Sequence, residues 1–371
     1  MAKNTLTRRK LLATSGAVAS LNIVKSGTLF GAENSALSKL SVGFIGMGGQ
    51  IQGHVNNLVN QGQHVAAFCD VDRSQIEKSM DRHKNHVKDC KPYEDYRNLL
   101  EIEKSLDAVV IATPDHWHAP ICKAAMAAGK HVYCEKPLTH TIKEARELRD
   151  LSKASKVVTQ TGNQGSASAN LRRSMELIEA GVFGPIREIH VWHPKHNWPS
   201  GGVRPAGSDP VPEGLNWDFW CGPAPVRPYK QGIYHPVKWR GWYDFGNGFI
   251  GDFCCHSFNL ALRSLHLDYP KRISFTGEGF GTETFAKSCS VKYHFSKNAK
   301  RSHDVELNIY TGGGKDVPPD HAVEAAIKTF GSLPRVGCIF VGDKGMLSSG
   351  LWNSQCYIKM NGEEKYVGEG N

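Results

Sequence analysis

The sequence predicts an α/β protein in two parts, an N-terminal doubly wound parallel sheet and a C-terminal α+β domain with an open, mostly antiparallel sheet. Three observations carry that expectation. Strand-length apolar runs alternate with helical patterns between residues 40 and 161, as successive βαβ units require. A glycine cluster, Gly46-Met47-Gly48-Gly49, ends the first of those strands and opens the first helix. Beyond Pro185 the pattern turns to short alternating segments, which suit an antiparallel sheet with one face on a core.

The chain has 371 residues, 40% hydrophobic and 22% charged, and no apolar run long enough to cross a bilayer as a helix. Thr7-Arg8-Arg9-Lys10-Leu11-Leu12 leads into the small, weakly apolar stretch 13–23, the order of a twin-arginine export signal. Residues 1–32 are therefore set apart from the fold, and the protein is expected in the periplasm or otherwise exported. That segment holds Lys3, Arg8, Arg9, Lys10 and Lys25 and no acid, so removing five positive charges lowers the formal net charge from +9 to +4. The remaining excess is too mild and too evenly spread to mark a nucleic-acid or anionic-membrane partner. Ten cysteines without a C-x-x-C pair indicate neither a zinc site nor a disulfide framework, and buried thiols are expected.

In the first domain (40–161), Leu40 to Ile45 is a β-rich run that stops at Gly46-Met47-Gly48-Gly49-Gln50, after which a helical pattern runs to about Asn60. Glycines at such a turn let backbone N–H groups approach a pyrophosphate at the helix N-terminus. The fingerprint is imperfect, because Ile51 occupies the position of its third glycine and Gly53 follows two residues later. His64 to Cys69 is the next strand and ends at Asp70, placed to accept from a ribose 2′-hydroxyl and to repel a 2′-phosphate. NAD is therefore expected over NADP, with Arg73 as the residue that would soften the preference, and Asp72 is expected to cap the following helix. A strand over 106–112 leads to Thr113-Pro114-Asp115-His116-Trp117-His118 and a helix from about Ala119 to Ala128. His116 and His118 are two ligands without a third, so they are expected to line a cofactor cleft and not to bind a metal. Strand His131–Cys134 then delivers Glu135-Lys136-Pro137 to its carboxyl end, where ligands collect in a doubly wound sheet. A helix over 141–155 and a strand over 157–161 complete a Rossmann-type domain.

Gly46-x-Gly48-Gly49, Asp70, Thr113-Pro114-x-x-x-His118 and Glu135-Lys136-Pro137, in this order, resemble the Gfo/Idh/MocA family of NAD(P)-dependent oxidoreductases, and within it the secreted twin-arginine branch. The resemblance runs from residue 40 to about 350. It implies cofactor contacts from Gly46, Gly48, Gly49, Gln50, Ile51, Asp70, Arg73, Thr113, Pro114, His116, His118, Glu135, Lys136 and Asn163.

The second domain (162–371) opens with a helix over 170–180 and the alternating strand 186–192. Six of the eight tryptophans then fall between 192 and 242. Singly, each pins a loop to the core; together they are expected to contribute to a pocket, since indoles pack on sugar C–H faces. Gly251-Asp252-Phe253-Cys254-Cys255-His256 precedes an apolar helix expected over 257–267. Asp252 and His256, four apart, would share a helix face, where a carboxylate orients an imidazole acting as general base. Members of the resembled family carry such a pair facing the nicotinamide; their further aspartate is Asn259 here. Strands are expected over 273–277, 288–295, 305–310 and 338–341, with a turn at Asn361-Gly362. The resembled proteins continue well beyond Gly342-Asp343-Lys344-Gly345, so a shortened C-terminus is expected.

The activity these residues imply is hydride transfer between a secondary hydroxyl of a sugar, cyclitol or related polyol and NAD. His256 would take the hydroxyl proton, Asp252 would hold the imidazole, and Lys136 would stabilise charge on the reacting oxygen. Substrate contacts are expected from Lys136, Trp192, His235, Trp239, Arg240, Asp252 and His256. Partners are a small carbohydrate or polyol, the twin-arginine machinery before export, and a second copy through the C-terminal sheet. Two other readings stay open: a glycoside hydrolase that uses NAD transiently, and a nucleotide-bound binding protein without turnover.

Overall fold

The structure, a computed structural model, describes residues 39–193, 197–312 and 317–369. The expected export signal, Arg8 and Arg9 included, lies outside the described residues.

The first sheet contains β1 (Ser41–Ile45), β2 (His64–Cys69), β3 (Lys91–Tyr93), β4 (Ala108–Ile111), β5 (His131–Glu135) and β6 (Thr159–Gly162). All pairs are parallel, and the order β3-β2-β1-β4-β5-β6 reverses direction between β1 and β4. That reversal opens a crevice outside the carboxyl ends of the strands. The connecting helices are α1 (Ile51–Asn60), α2 (Arg73–Arg82), α3 (Tyr96–Ile102), α4 (Asp115–Ala127) and α5 (Ile142–Ala154). Both sheet faces are buried, one by a core around Val109, Ile111, Ile121 and Cys134, the other by Phe44, Ile51, Val55 and Phe68. This explains why the strands read as unbroken apolar runs. Asp72 caps α2 by accepting from the Ser74 N–H at 3.0 Å, and Thr141 with Glu144 forms a complete capping box on α5.

Two helix starts differ from the expectation. Helix α4 begins at Asp115 and contains Pro120, which in the sequence looks like a first-turn proline. The additional turn is held from the other domain: His116 N–H donates to the Phe245 carbonyl at 3.3 Å, and the Asn247 N–H donates to Asp115 Oδ2 at 3.0 Å. The short β3 is a further element that no pattern in the sequence marked.

The second sheet contains β7 (Ile186–His193), β8 (Arg272–Glu278), β9 (Ser288–Phe295), β10 (Val305–Thr311), β11 (Gly337–Gly342), β12 (Gly345–Ser348), β13 (Cys356–Met360) and β14 (Val367–Glu369). Its order is β14-β13-β12-β11-β7-β10-β9-β8, antiparallel throughout except for the β7–β10 pair. Helices α6 (Ala169–Glu179), α7 (Trp217–Cys221), α8 (Gly248–Ser264) and α9 (Asp320–Phe330) accompany it. Leu171 and Ile178 of α6 and Phe249, Cys254 and Leu260 of α8 pack on Ile189, Val191, Leu307 and Ile309. Helix α9 takes part of the opposite face, over Trp192 and Ile339. Helix α8 starts at Gly248 where the sequence suggested Ser257, because glycines 246 to 251 read as loop. Instead Gly251 sits in the helix where an added Cβ would lie 2.3 Å from the Asn247 Cβ, so the glycine is spent on close packing. The ten cysteines are free thiols, eight of them buried.

Between β7 and α8, residues Leu215, Trp217, Trp220, Tyr229, Tyr234, Trp239, Trp242 and Phe245 build a separate aromatic core that also touches Val71 of the first domain. This insert forms one wall of the crevice.

Gly46 adopts φ +87°, and an added Cβ would lie 2.7 Å from the Thr113 nitrogen. Gly46→Ala is expected to cost at least about 1–2 kcal/mol for the left-handed backbone alone. Thermal unfolding should show a lowered Tm; an unchanged Tm would mean that β1 and β4 part freely at this point.

Candidate functional site

A cleft of about 610 Å³ lies across the carboxyl ends of four strands of the first sheet. Its floor is Ile45 and Gly46 after β1, Cys69 and Asp70 after β2, Ala112 and Thr113 after β4, and Glu135 and Lys136 from β5. Its opposite wall is Trp198, Phe219, Trp220, the segment 235–237, Trp239, Arg240, Asp252 and Phe253. Both domains therefore contribute to one site.

At the glycine end, α1 begins without a side-chain cap, and added Cβ atoms at Gly48 and Gly49 would meet nothing within 4 Å. The first N–H groups of a helix have no intrahelical partner, so this uncapped end suits a pyrophosphate. Thr113 Oγ1 faces burial without a protein partner among the described residues and supplies one more polar group to the same floor. Asp70 accepts from the Met47 N–H at 2.6 Å and the Asp72 N–H at 2.9 Å, which fixes the glycine turn to the end of β2. A carboxylate has lone pairs to spare beyond two acceptances, so a ribose hydroxyl can still donate to it. Burial pushes Asp70 up to about 6 against the pull of those N–H groups. Beside it, burial alone would raise Asp72, but hydrogen bonds from His235, Ser74 and Gln75 hold it well below the usual carboxylate range. The glycine turn, Thr113 and Asp70 thus fit a dinucleotide.

At the other end, Lys136 Nζ donates to Asp252 Oδ1 at 2.9 Å and to the Asp252 carbonyl at 3.0 Å. Arg240 Nε stands 3.4 Å from Asp252 Oδ2, with its guanidinium 4.2 Å from the Trp239 ring. Asp252 is therefore committed to two cations and does not hold His256, contrary to the sequence expectation. The imidazole is held by Asn163: His256 Nδ1 lies 2.9 Å from Asn163 Oδ1, while Asn163 Nδ2 donates to the Cys255 carbonyl at 2.9 Å. Because an amide oxygen only accepts, Nδ1 carries the proton and Nε2 keeps the lone pair. Burial, then the Lys136 charge, depresses His256 to about 4. Glu135 Oε1 pairs with His54 at 2.7 Å.

Sequence reasoning missed Asp115, which it treated only as a spacer between Pro114 and His116. The residue is 1% exposed yet lines the cleft. Burial, then the Asp252 carboxylate, pushes Asp115 well above the usual range despite Arg240 and Lys136. Only the approach of α8 to the start of α4 creates that environment.

Of the expected cofactor contacts, Gly46, Gly48, Gly49, Gln50, Asp70, Thr113, Pro114, His118, Glu135 and Lys136 line the cleft. Ile51, Arg73, His116 and Asn163 do not. Ile51 is fully buried in the core with Phe44, Val55 and Phe68; Arg73 is exposed at the start of α2, its Cβ under the Gly214 turn. His116 is enclosed between the Phe245 carbonyl at 3.1 Å and the Trp220 carbonyl at 3.0 Å, and burial lowers it to about 4. His118 lies likewise between the Thr113 and Pro137 carbonyls, at 2.9 and 2.7 Å.

Of the expected substrate contacts, Lys136, His235, Trp239, Arg240 and Asp252 line the cleft, but Trp192 and His256 do not. Trp192 lies on the sheet face covered by α9 and donates to the Pro334 carbonyl at 2.8 Å. Alternation along β7 puts it there, opposite the face that carries α8. His235 sits at the nucleotide end, bound to Asp72 at 2.8 Å. The tryptophan cluster divides: Trp198, Trp220 and Trp239 reach the cleft, whereas Trp217 and Trp242 support them from behind.

Residues 40–163 match the model of the oxidoreductase family's NAD-binding Rossmann fold, and residues 169–275 match its C-terminal alpha/beta domain. The chain belongs to the Gfo/Idh/MocA family. Among curated members it is 31% identical over 155 residues to an alpha-N-acetylgalactosaminidase of Tannerella forsythia, covering 40% of this chain and 33% of that protein. It is 28% identical over 157 residues to an inositol 2-dehydrogenase of Salmonella typhimurium, covering 42% and 46% respectively. The chain thus matches less than half the length of these relatives. Among solved structures, the WlbA dehydrogenase of Bordetella pertussis, in complex with NADH and UDP-GlcNAcA, superposes with a TM-score of 0.61 at 16% identity. That likeness covers 87% of this chain and 80% of the other. Levoglucosan dehydrogenase in complex with NADH gives 0.60 at 16% identity, over 89% and 79%. At such identities the likeness establishes the shared fold.

The Asp70 environment gives the nucleotide preference a pH dependence. Since its folded value lies near 6, Asp70 is mainly neutral at pH 5 and ionised at pH 8. NAD should bind more tightly than NADP, and the ratio of dissociation constants should widen between pH 5 and pH 8. An Asp70→Asn variant should show the smaller widening that comes from the 2′-phosphate itself; an equal widening would remove Asp70 from the ribose site.

Proposed function

We propose that this protein is an NAD-dependent oxidoreductase that transfers hydride between a hydroxyl-bearing carbon of a sugar, cyclitol or related polyol and its bound nucleotide. The carrying observation is the Lys136–Asp252 pair at 2.9 Å, which puts a cation from the Rossmann domain and a carboxylate from the second domain on one wall-to-floor contact of the cleft. The dehydrogenase relatives and the neighbours solved with NADH support this reading.

When bound, the nicotinamide supplies the hydride acceptor. The chain supplies everything else. Lys136 Nζ, steadied by Asp252, donates to the reacting oxygen and stabilises its charge as the carbonyl forms. His256, set back from the cleft lining, keeps its lone pair on Nε2 through the Asn163 contact at Nδ1 and is the group we assign to take the hydroxyl proton when substrate is bound. Trp239 and Arg240 offer a flat face and hydrogen-bond donors to the remaining hydroxyls. The exposed part of the C-terminal sheet is the surface we assign to self-association.

A second reading is favoured by the galactosaminidase relative and by several glycosyl hydrolase family 109 relatives, one of them 33% identical over 162 residues. Here the same oxidation would be transient and would end in release of free sugar. Net nucleotide reduction against a panel of sugars and cyclitols, measured beside sugar release from aryl glycosides, separates the two. Release without net reduction would establish the hydrolase.

Lys136→Met and His256→Ala are expected to keep NAD binding and lose on the order of 10² to 10⁴ in rate. Asp252 is not stranded in the first variant, because Arg240 remains 3.4 Å away. With His256 depressed to about 4, kcat/KM should show its imidazole limb near pH 4 and no such limb near neutrality. A wild-type rate in His256→Ala would remove this residue from the mechanism.

We also assign the N-terminus to twin-arginine export, on the order Arg8-Arg9 followed by a weakly apolar stretch. Replacing both arginines by lysine should leave precursor in the cytoplasm on fractionation. Undiminished export of that double variant would overturn the assignment.

A further inference from the structure

On the sheet face away from the cleft, Glu188 and His190 of β7 meet His321 from the first turn of α9. Glu188 Oε2 lies 3.0 Å from His190 Nε2 and 3.1 Å from His321 Nε2. One donor atom from each residue lies within 4.8 Å of the other two. None of the three lines the cleft, and the proposed reaction uses none of them.

We propose that Glu188, His190 and His321 form a binding site for a divalent transition-metal ion, zinc above all, that fastens α9 to the C-terminal sheet. Two imidazoles and one carboxylate are a ligand set that zinc takes with a fourth position left to water. Zinc bonds of about 2.0–2.2 Å in tetrahedral geometry put neighbouring donors roughly 3.3–3.5 Å apart. The two edges at Glu188 come within a few tenths of an ångström of that spacing, and the half-exposed His321 can turn about its contact with Glu188 to set the third.

The surroundings favour a cation. His190 is 2% exposed, and its Nδ1 lies 3.1 Å from the Tyr310 hydroxyl, whose ring stacks on the imidazole. Such an outer partner fixes the ring and leaves Nε2 to the metal. Glu306 of β10 stands beside Glu188 in the parallel register, and Lys292 pairs with Glu306 at 3.1 Å. Two carboxylates against one lysine leave a negative local balance. A coordination bond would replace the hydrogen bonds that Glu188 now accepts from both rings, and it would join residues 133 positions apart.

The test uses the full chain, stripped with chelator and desalted, and titrated with zinc by calorimetry and with cobalt by visible absorption. One ion per chain is expected, with tetrahedral-type cobalt bands and a zinc-dependent rise in Tm. His321→Ala, at an exposed position, and the isosteric Glu188→Gln should each weaken binding at least about tenfold, a loss that even outer-shell changes reach in metal sites. NAD affinity should not change in either variant, which verifies that they fold. No saturable binding at equimolar zinc, or binding that survives in both variants, would reduce the cluster to a hydrogen-bonded contact between β7 and α9.

Discussion

The Lys136–Asp252 ion pair is the interaction on which the rest of this site depends. It joins the end of β5 to the second turn of α8, and the side chains are only 16% and 6% exposed. Removing one member of a buried pair costs about 3–5 kcal/mol where the other is left unpaired; Arg240 spares Asp252 that fate, and the pair serves to fix geometry. Arg240 makes the arrangement a triad and explains how Asp252 stays close to the buried Asp115 carboxyl. Position follows from charge here: Lys136 from the first domain and Arg240 from the second hold the one Asp252 carboxylate between them.

Around that pair the domains are fastened mainly through backbone atoms. His116 fills the space between the Phe245 and Trp220 carbonyls, and Asp115 caps the Asn247 N–H at the start of α8. His235 reaches back to Asp72, and Asn247 Nδ2 donates to the Thr139 carbonyl at 2.8 Å. A neutral imidazole donates through one nitrogen only, so His116 is a spacer of fixed shape more than a titrating group. The aromatic insert presses on this seam and gives the cleft a rigid wall. Rigid walls are what a hydride donor and acceptor need, since their approach must be held to a fraction of an ångström.

The second sheet divides its faces between two tasks. One face packs on α6 and α8, and α8 carries Asp252 and His256. The other is only partly covered by α9 and gathers polar and charged residues from β7, β9 and β10. Glu188, His190 and His321 stand there, away from the chemistry of the cleft. A strict alternation along β7 separates the two roles: Ile189 and Val191 face the helices, while His190 and Trp192 face away.

The sequence by itself determined the Rossmann half of the fold, because local patterns there are self-sufficient. Strands buried on both faces must be apolar throughout, a glycine turn must follow the first of them, and Asp72 must cap the helix after the second. Lys136 and Asp70 were legible for the same reason: the end of a parallel strand is a fixed address relative to a crevice. Only the tertiary structure decided what those side chains touch. Asp252 and His256 are four apart on one helix, yet their partners, Lys136 and Asn163, come from the first domain and the segment just after it. Asp115 looked inert until α8 buried it, and Trp192 looked like pocket lining until the register of β7 turned it to the α9 side. Such contacts join residues about a hundred positions apart, and no periodicity of 2 or 3.6 reports on them. Chain order fixes a residue's face, whereas the packing of one domain on another fixes its partner.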